Sequence, residues 1–110
     1  MYAWKITEDR ITGPGEDGGG LNVVGPRTIT AEHERWLDTK ATPANKLPEG
    51  IERFTFRLFD DDRTLYYRGV LVTDDAGTEE VCCAPLDDYG KPNAGCTSIE
   101  WDGHPEWNAE

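Results

Sequence analysis

The chain is short of several things that would narrow its class. No apolar run approaches the roughly 20 residues that a membrane helix requires. The opening segment, MYAWKITEDR, has no basic stretch followed by an apolar one, so it does not read as a secretory signal. Cysteine is scarce and odd in number, with Cys82, Cys83 and Cys96. Without a signal, that count points to reduced thiols and a cytoplasmic location. Hydrophobic residues make up only 36% of the sequence, below the globular average. Four Trp, four Tyr and three Phe partly compensate, because each aromatic buries a large area. A chain of 110 residues suits one domain spanning positions 1–110, with a small core and little room for a deep cavity.

Catalytic signatures are missing as well. There is no G-x-S-x-G and no Walker A pattern, and Gly18-Gly19-Gly20 lacks the following Lys-Ser/Thr and helix that a phosphate loop needs. A Cys-His nucleophile needs an electropositive setting, whereas Cys83 follows Glu79 and Glu80. Zinc is disfavoured because the C-x(2–4)-C knuckle is absent, and neighbouring cysteines on a strand point to opposite faces. One cysteine of the pair is then core and the other half-exposed, with Cys96 packed near a strand start. No enzyme, cofactor or metal is expected.

Positive charge is the scarcest resource relative to its opposite. Eleven basic residues face 22 acidic ones, for a net charge of −11. Such a surface repels nucleic acid and anionic membranes and favours basic partners. Arg outnumbers Lys seven to four, and the abundance of Gly, Asp and Glu is also what a GC-rich genome produces. Composition alone therefore accounts for part of the acidity.

Turning to what is there, Tyr2, Trp4 and Ile6 alternate along a first strand. Residues 8–20 read as a flexible Gly-rich loop containing TGPGEDGGG. Leu21–Val24 reads as a short strand ended by Gly25-Pro26. Thr30–Asp38 is the one helix candidate, capped by Thr30, with Glu32 and Glu34 at its positive end and Trp36 on the sheet. Residues 40–50 read as a loop. Phe54, Phe56 and Leu58 alternate with Arg53, Thr55 and Arg57, giving a strand with one wet face. Thr64–Thr73 is a longer strand, Asp74–Gly77 a turn, Glu79–Ala84 a strand stopped by Pro85, Leu86–Gly95 a loop, and Thr97–Trp101 the last strand. The tail, 102–110, is expected to be loose or only partly docked. The sum is an α+β domain: a small antiparallel meander of about four to five strands with one short helix.

The carboxylates fall in groups: Glu8-Asp9, Glu16-Asp17, Asp60-Asp61-Asp62, Asp74-Asp75, Glu79-Glu80 and Asp87-Asp88. Asp starts turns by bonding its own backbone, so each group has a structural explanation. DDDRT fits calcium poorly, since an EF-hand loop spaces its acids alternately and needs Gly and a twelfth-position Glu. A catalytic pair would need a carboxyl shifted in pKa by burial, which a wet turn does not supply. What remains is a collective reading. Asp60–Asp62 and Asp74-Asp75 sit at opposite ends of one strand, and alternate turns of a meander would bring Asp87-Asp88 to the Asp60 end. With an exposed tyrosine, Tyr66 or Tyr67, as anchor, these residues are the candidate partner-binding set. The partner is expected to be a basic protein surface, such as a nucleic-acid-binding protein or nuclease, with no direct nucleic-acid binding.

The strings YAWKIT, FRLFDDD followed by LYYRG, and PLDDYGKPNAGCTSIEW cover about a third of the chain. In them the sequence resembles a group of small uncharacterised acidic proteins of phages and plasmids from GC-rich bacteria, of actinobacterial type. The matching strings carry no known chemistry. The resemblance implies a mobile-element context, in which small acidic proteins block host defence as anti-restriction or anti-CRISPR inhibitors. The alternative is an accessory domain whose acidity serves solubility and whose edge strand forms a homodimer.

Overall fold

The computed structural model describes residues 1–11 and 22–110. The fold is α+β, built on a five-stranded antiparallel sheet. Strand β1 is Tyr2–Asp9, β2 Val24–Gly25, β3 Glu52–Phe59, β4 Leu65–Thr73 and β5 Ser98–Trp101. Their order across the sheet is β2-β1-β4-β3-β5. Consecutive strands pair only as β1–β2 and β3–β4, and β1 lies beside β4, so the sheet is not a simple meander. The Gly-rich run expected within 8–20 falls largely outside the described residues, and β1 itself continues to Asp9.

Alternation decides the two faces. Trp4 and Ile6 of β1, Phe56 and Leu58 of β3, Tyr67 and Leu71 of β4, and Ile99 and Trp101 of β5 form one core layer. Ala3, Val70 and Val72 face the other way, against Leu37. Each fully buried large side chain contributes about 1.5–3 kcal/mol. Gly69 sits at the centre of the first layer because Phe56 crosses its backbone, leaving no space for a Cβ.

Helix α1, Ala31–Leu37, starts at Thr30 as expected. Thr30 Oγ1 accepts from His33 N–H, and Thr30 N–H donates to His33 Nδ1. Its far end is tied to the sheet by Arg53, whose Nη1 donates to the carbonyls of Trp36 and Thr42, both at 2.7 Å.

The segment expected as a strand and loop over 79–95 is helical instead. Helix α2, Glu79–Pro85, runs into a π-type turn at Leu86–Gly90 and then α3, Lys91–Ala94, one 16-residue helical stretch in all. Thr78 Oγ1 accepts from Val81 N–H, capping its start. Pro85 lacks the N–H of a regular turn, and the ladder widens just after it, Lys91 N–H reaching back to Leu86 O. Gly95, at φ 67°, ends the stretch. Val81, Leu86 and Tyr89 press onto the first core layer. The sheet is thus covered by this stretch on one face and by α1 on part of the other.

The tail, expected to be loose or only partly docked, is held against the sheet. Ala109 pairs with Ile99, and the Trp107 ring meets Phe54 edge-on at 4.9 Å. Exposed apolar area is what an unattached tail would leave on β5 and Phe54, and the Trp107 indole covers it.

Candidate acidic binding surface

The opening residues of the β3–β4 hairpin turn are Asp60-Asp61-Asp62-Arg63. Asp60 Oδ1 accepts from the backbone N–H of Asp62 at 2.9 Å and Thr64 at 2.8 Å. Arg63 takes a left-handed conformation, φ 66°. The first carboxylate therefore shapes the turn, while Asp61 and Asp62 are exposed. Among the described residues these three are the one group of three or more metal-competent side chains with ligand atoms within 4.8 Å of one another. Exposed adjacent acids are common without an ion, and the alternation of an EF-hand is absent.

At the other end of β4, Asp74 and Asp75 flank the chain's first residue. The Met1 ammonium lies 2.8 Å from Asp74 Oδ1 and 3.4 Å from Asp75 Oδ2. That hydrogen bond to the ammonium holds the Asp74 carboxyl below its usual range. Nine residues of strand separate the two acidic ends, about 30 Å at ~3.3 Å per residue.

The third group moves. Asp87 and Asp88 do not join the Asp60 end, because residues 79–94 fold as a helix across the sheet rather than as a returning strand. Asp88 Oδ2 accepts from the Tyr2 hydroxyl at 2.9 Å and from Trp4 Nε1 at 3.1 Å. Tyr2 is paired with Thr73 across the sheet, so this group belongs to the Asp74 half of the molecule. Burial, and then the bond to Asp88, push the Tyr2 phenol up to about 12. A groove opens here, lined by Tyr2, Glu79, Glu80, Cys83, Asp87 and Asp88. A second groove, containing Trp4, Pro26 and Arg27, reaches the same Asp88. Among the described residues, the side chains of Asp61, Asp62, Glu79 and Glu80 have no ion-pair or hydrogen-bond partner. Glu79 and Glu80, expected on a strand, stand at the start of α2, and Tyr2 and Trp4, outside the expected binding set, meet them at Asp88. The signal was Thr78 followed by two acids, a helix start.

The two tyrosines separate. Tyr67 is 3% exposed and packs on Tyr89, with ring centroids 5.1 Å apart, so it is not a surface anchor. Tyr66 is half-buried and hydrogen-bonded to Asp60, which raises its phenol above the ordinary value. Strand alternation sends the neighbours to different sides, and a bulge, with Leu58 paired to Tyr67 and Phe59 to Leu65, leaves Tyr66 as the extra residue.

The thiols are free. Burial raises all three, and Cys96 reaches about 11, which disfavours a thiolate. The split of one core and one half-exposed cysteine at 82–83 holds, although on a helix. His33 is engaged by Thr30, and His104 stacks on Trp107 at 3.9 Å and 5°.

On the open half of the opposite sheet face, four charged residues line up across four strands. Glu8, Arg68, Arg57 and Glu100 are successive register partners on β1, β4, β3 and β5. A bulge between Ile6 and Glu8 turns Glu8 onto this face. Arg68 Nε lies 2.9 Å from Glu8 Oε2, and Arg57 Nε lies 3.1 Å from Asp102 Oδ1. Arg63 reaches Glu100 and lies 4.7 Å over the Phe59 ring. With Arg53 on the Trp36 and Thr42 carbonyls and Arg10 at 3.6 Å from Glu8, five of the seven arginines serve the fold's own contacts.

Compared with known proteins, the chain matches no family model, no curated protein and no solved structure. Among the described residues, no helix is long and apolar enough to cross a membrane.

Proposed function

We propose that this protein is a non-enzymatic acidic module that binds a basic protein surface, and that it inhibits a nucleic-acid-binding protein or nuclease by occupying the site of the polyanion. The observation that carries this reading is the groove around Asp88. Glu79, Glu80, Asp87 and Asp88 converge on it, and Tyr2 and Trp4 hold the Asp88 carboxylate in place before any partner arrives. Preorganised charge loses less entropy on binding. Asp74 and Asp75 extend the negative surface along the same half, and Asp61 and Asp62 add a second pole at the far end of β4. The ion-pair ladder supports the same reading from the other side, because it keeps several of the few cations away from these carboxylates. Such complementarity speeds encounter and fixes partner choice, and it weakens with salt. The resemblance to phage and plasmid proteins suggests a host defence nuclease, of the anti-restriction or anti-CRISPR type, as the target.

The test is capture from a GC-rich bacterial lysate at low and high salt, comparing the wild type with a Glu79→Lys/Glu80→Lys/Asp87→Lys variant, followed by a nuclease assay on what is captured. A basic nuclease retained only by the wild type, released by salt and inhibited in the assay is the expected result. Equal capture by both proteins, or none, rejects the docking role and leaves the acidity as a solubility feature.

A further inference from the structure

Strand β5 is an outer strand, and an outer strand offers its unpaired N–H and C=O groups to other chains. In this fold those groups are occupied. Ile99 N–H donates to Ala109 O at 2.9 Å, and Ala109 N–H donates to Ile99 O at 3.1 Å. Trp101 N–H donates to Asn108 Oδ1 at 2.9 Å, a side chain standing where a neighbouring strand's carbonyl would be. The segment that does this, residues 104–110, follows Gly103 at φ 78° and holds the edge by the Ile99–Ala109 bridge, the Asn108 side-chain bond and His104 N–H donating to Trp101 O at 3.1 Å, with the Trp107 ring packed on Phe54 and Trp101. Open grooves flank it. One is bounded by Arg63, Ser98, Glu100 and Asn108, the other by Gly77, Cys82, Cys83 and Trp107. Few backbone bonds and open flanks mark a part that detaches before the core does.

We infer that residues 104–110 form a displaceable strap over an interaction edge, and that the occupant which replaces it is β5 of a second copy of this chain. Antiparallel pairing centred on Ile99 with Ile99 restores both bonds now made to Ala109, and it places Trp101 opposite Thr97 in place of Asn108. The pairing is isologous, so each contact occurs twice. Charge agrees with this register. Ser98 then stands opposite Glu100 of the partner subunit. Arg63 donates to Ser98 Oγ at 3.3 Å and already pairs with Glu100 in its own chain, so the register brings a second carboxylate, opposite in sign to the guanidinium, beside it. The strap keeps this edge closed in the single chain.

The test uses the full chain with Asn108→Ala and Ala109→Pro, which remove the acceptor for Trp101 and the donor to Ile99 while leaving Trp107 in place. Sedimentation gives the mass, and hydrogen exchange reads the Ile99 and Trp101 amides. The expected result is a mass that doubles as concentration rises, with both amides regaining protection in the heavier species. A folded variant that stays at the mass of one chain over the same range overturns the inference. So does a dimer in which both amides exchange freely. If the double variant loses its near-ultraviolet aromatic signal, Asn108→Ala alone is measured in the same way and judged by the same outcomes.

Discussion

Arg57 and Arg68 stand directly opposite each other across the β3–β4 pair, and each is neutralised on its outer side, Arg68 by Glu8 and Arg57 by Glu100 and Asp102. Like charges placed opposite on adjacent strands are destabilising, so the two arginines differ in what they contribute. Arg57 has two carboxylate partners and Arg68 one. Arg57→Thr should lower stability by about 1 kcal/mol, whereas Arg68→Thr should stay within about 0.5 kcal/mol of neutral, since it removes a repulsion along with a pair. Urea titration of the two variants at low salt checks the order. Equal losses would mean that the opposed pair carries no repulsion.

Gly69 faces the Phe56 ring, and an added Cβ would also lie 2.7 Å from the Lys5 carbonyl oxygen on β1. Ring and backbone are both fixed in the sheet, so neither gives way cheaply. Gly69→Ala should cost about 3 kcal/mol or more, read as a fall in the urea midpoint at unchanged slope.

Asp87 and Asp88 are neighbours with different duties. Asp87 pairs with Lys91 one helical turn on, at the surface, and Asp87→Ala should change stability by no more than about 0.5 kcal/mol. Asp88→Ala strands the indole N–H of Trp4, a residue only 3% exposed, and should cost about 1–2 kcal/mol. Thermal unfolding of both variants separates a carboxylate available to a partner from one that also holds the fold.

Alkaline behaviour should centre on Cys96. Its thiol is lifted by burial from the ordinary 9.0 to about 11. Below pH 9 both the folded and unfolded states keep the proton and stability is complete. Between about 9 and 11 the unfolded chain ionises first, so stability falls as pH rises through that window. Melting temperatures from pH 8 to 11 should drop for the wild type and drop less for Cys96→Ala.

Much of this was legible in the sequence, for a physical reason. β1, β3, β4 and β5 each show the alternation that a sheet with one buried face imposes, and Thr30 marks the start of α1. Residues 79–94 misled because Pro85, Gly90, Pro92 and Asn93 are turn formers, and they hid a real helical stripe in Val81, Pro85 and Tyr89. Tertiary contacts with Leu58, Trp4 and Tyr67 decided the matter there. The same misreading sent Asp87-Asp88 to the wrong end of the sheet. The ladder was beyond local reading, because Glu8 and Arg68 meet only through the β1–β4 pairing and a bulge.

The separation of charge between the two sides of the sheet gives salt two opposing effects. Repulsion among carboxylates in a chain of net charge −11 is a long-range strain on the folded state, and ions screen it. The ladder's contacts are short and partly shielded by their neighbours, so they lose less. Raising ionic strength should therefore firm up the isolated protein while loosening its hold on any cationic partner, so that the conditions in which it is most robust are those in which it is least adhesive.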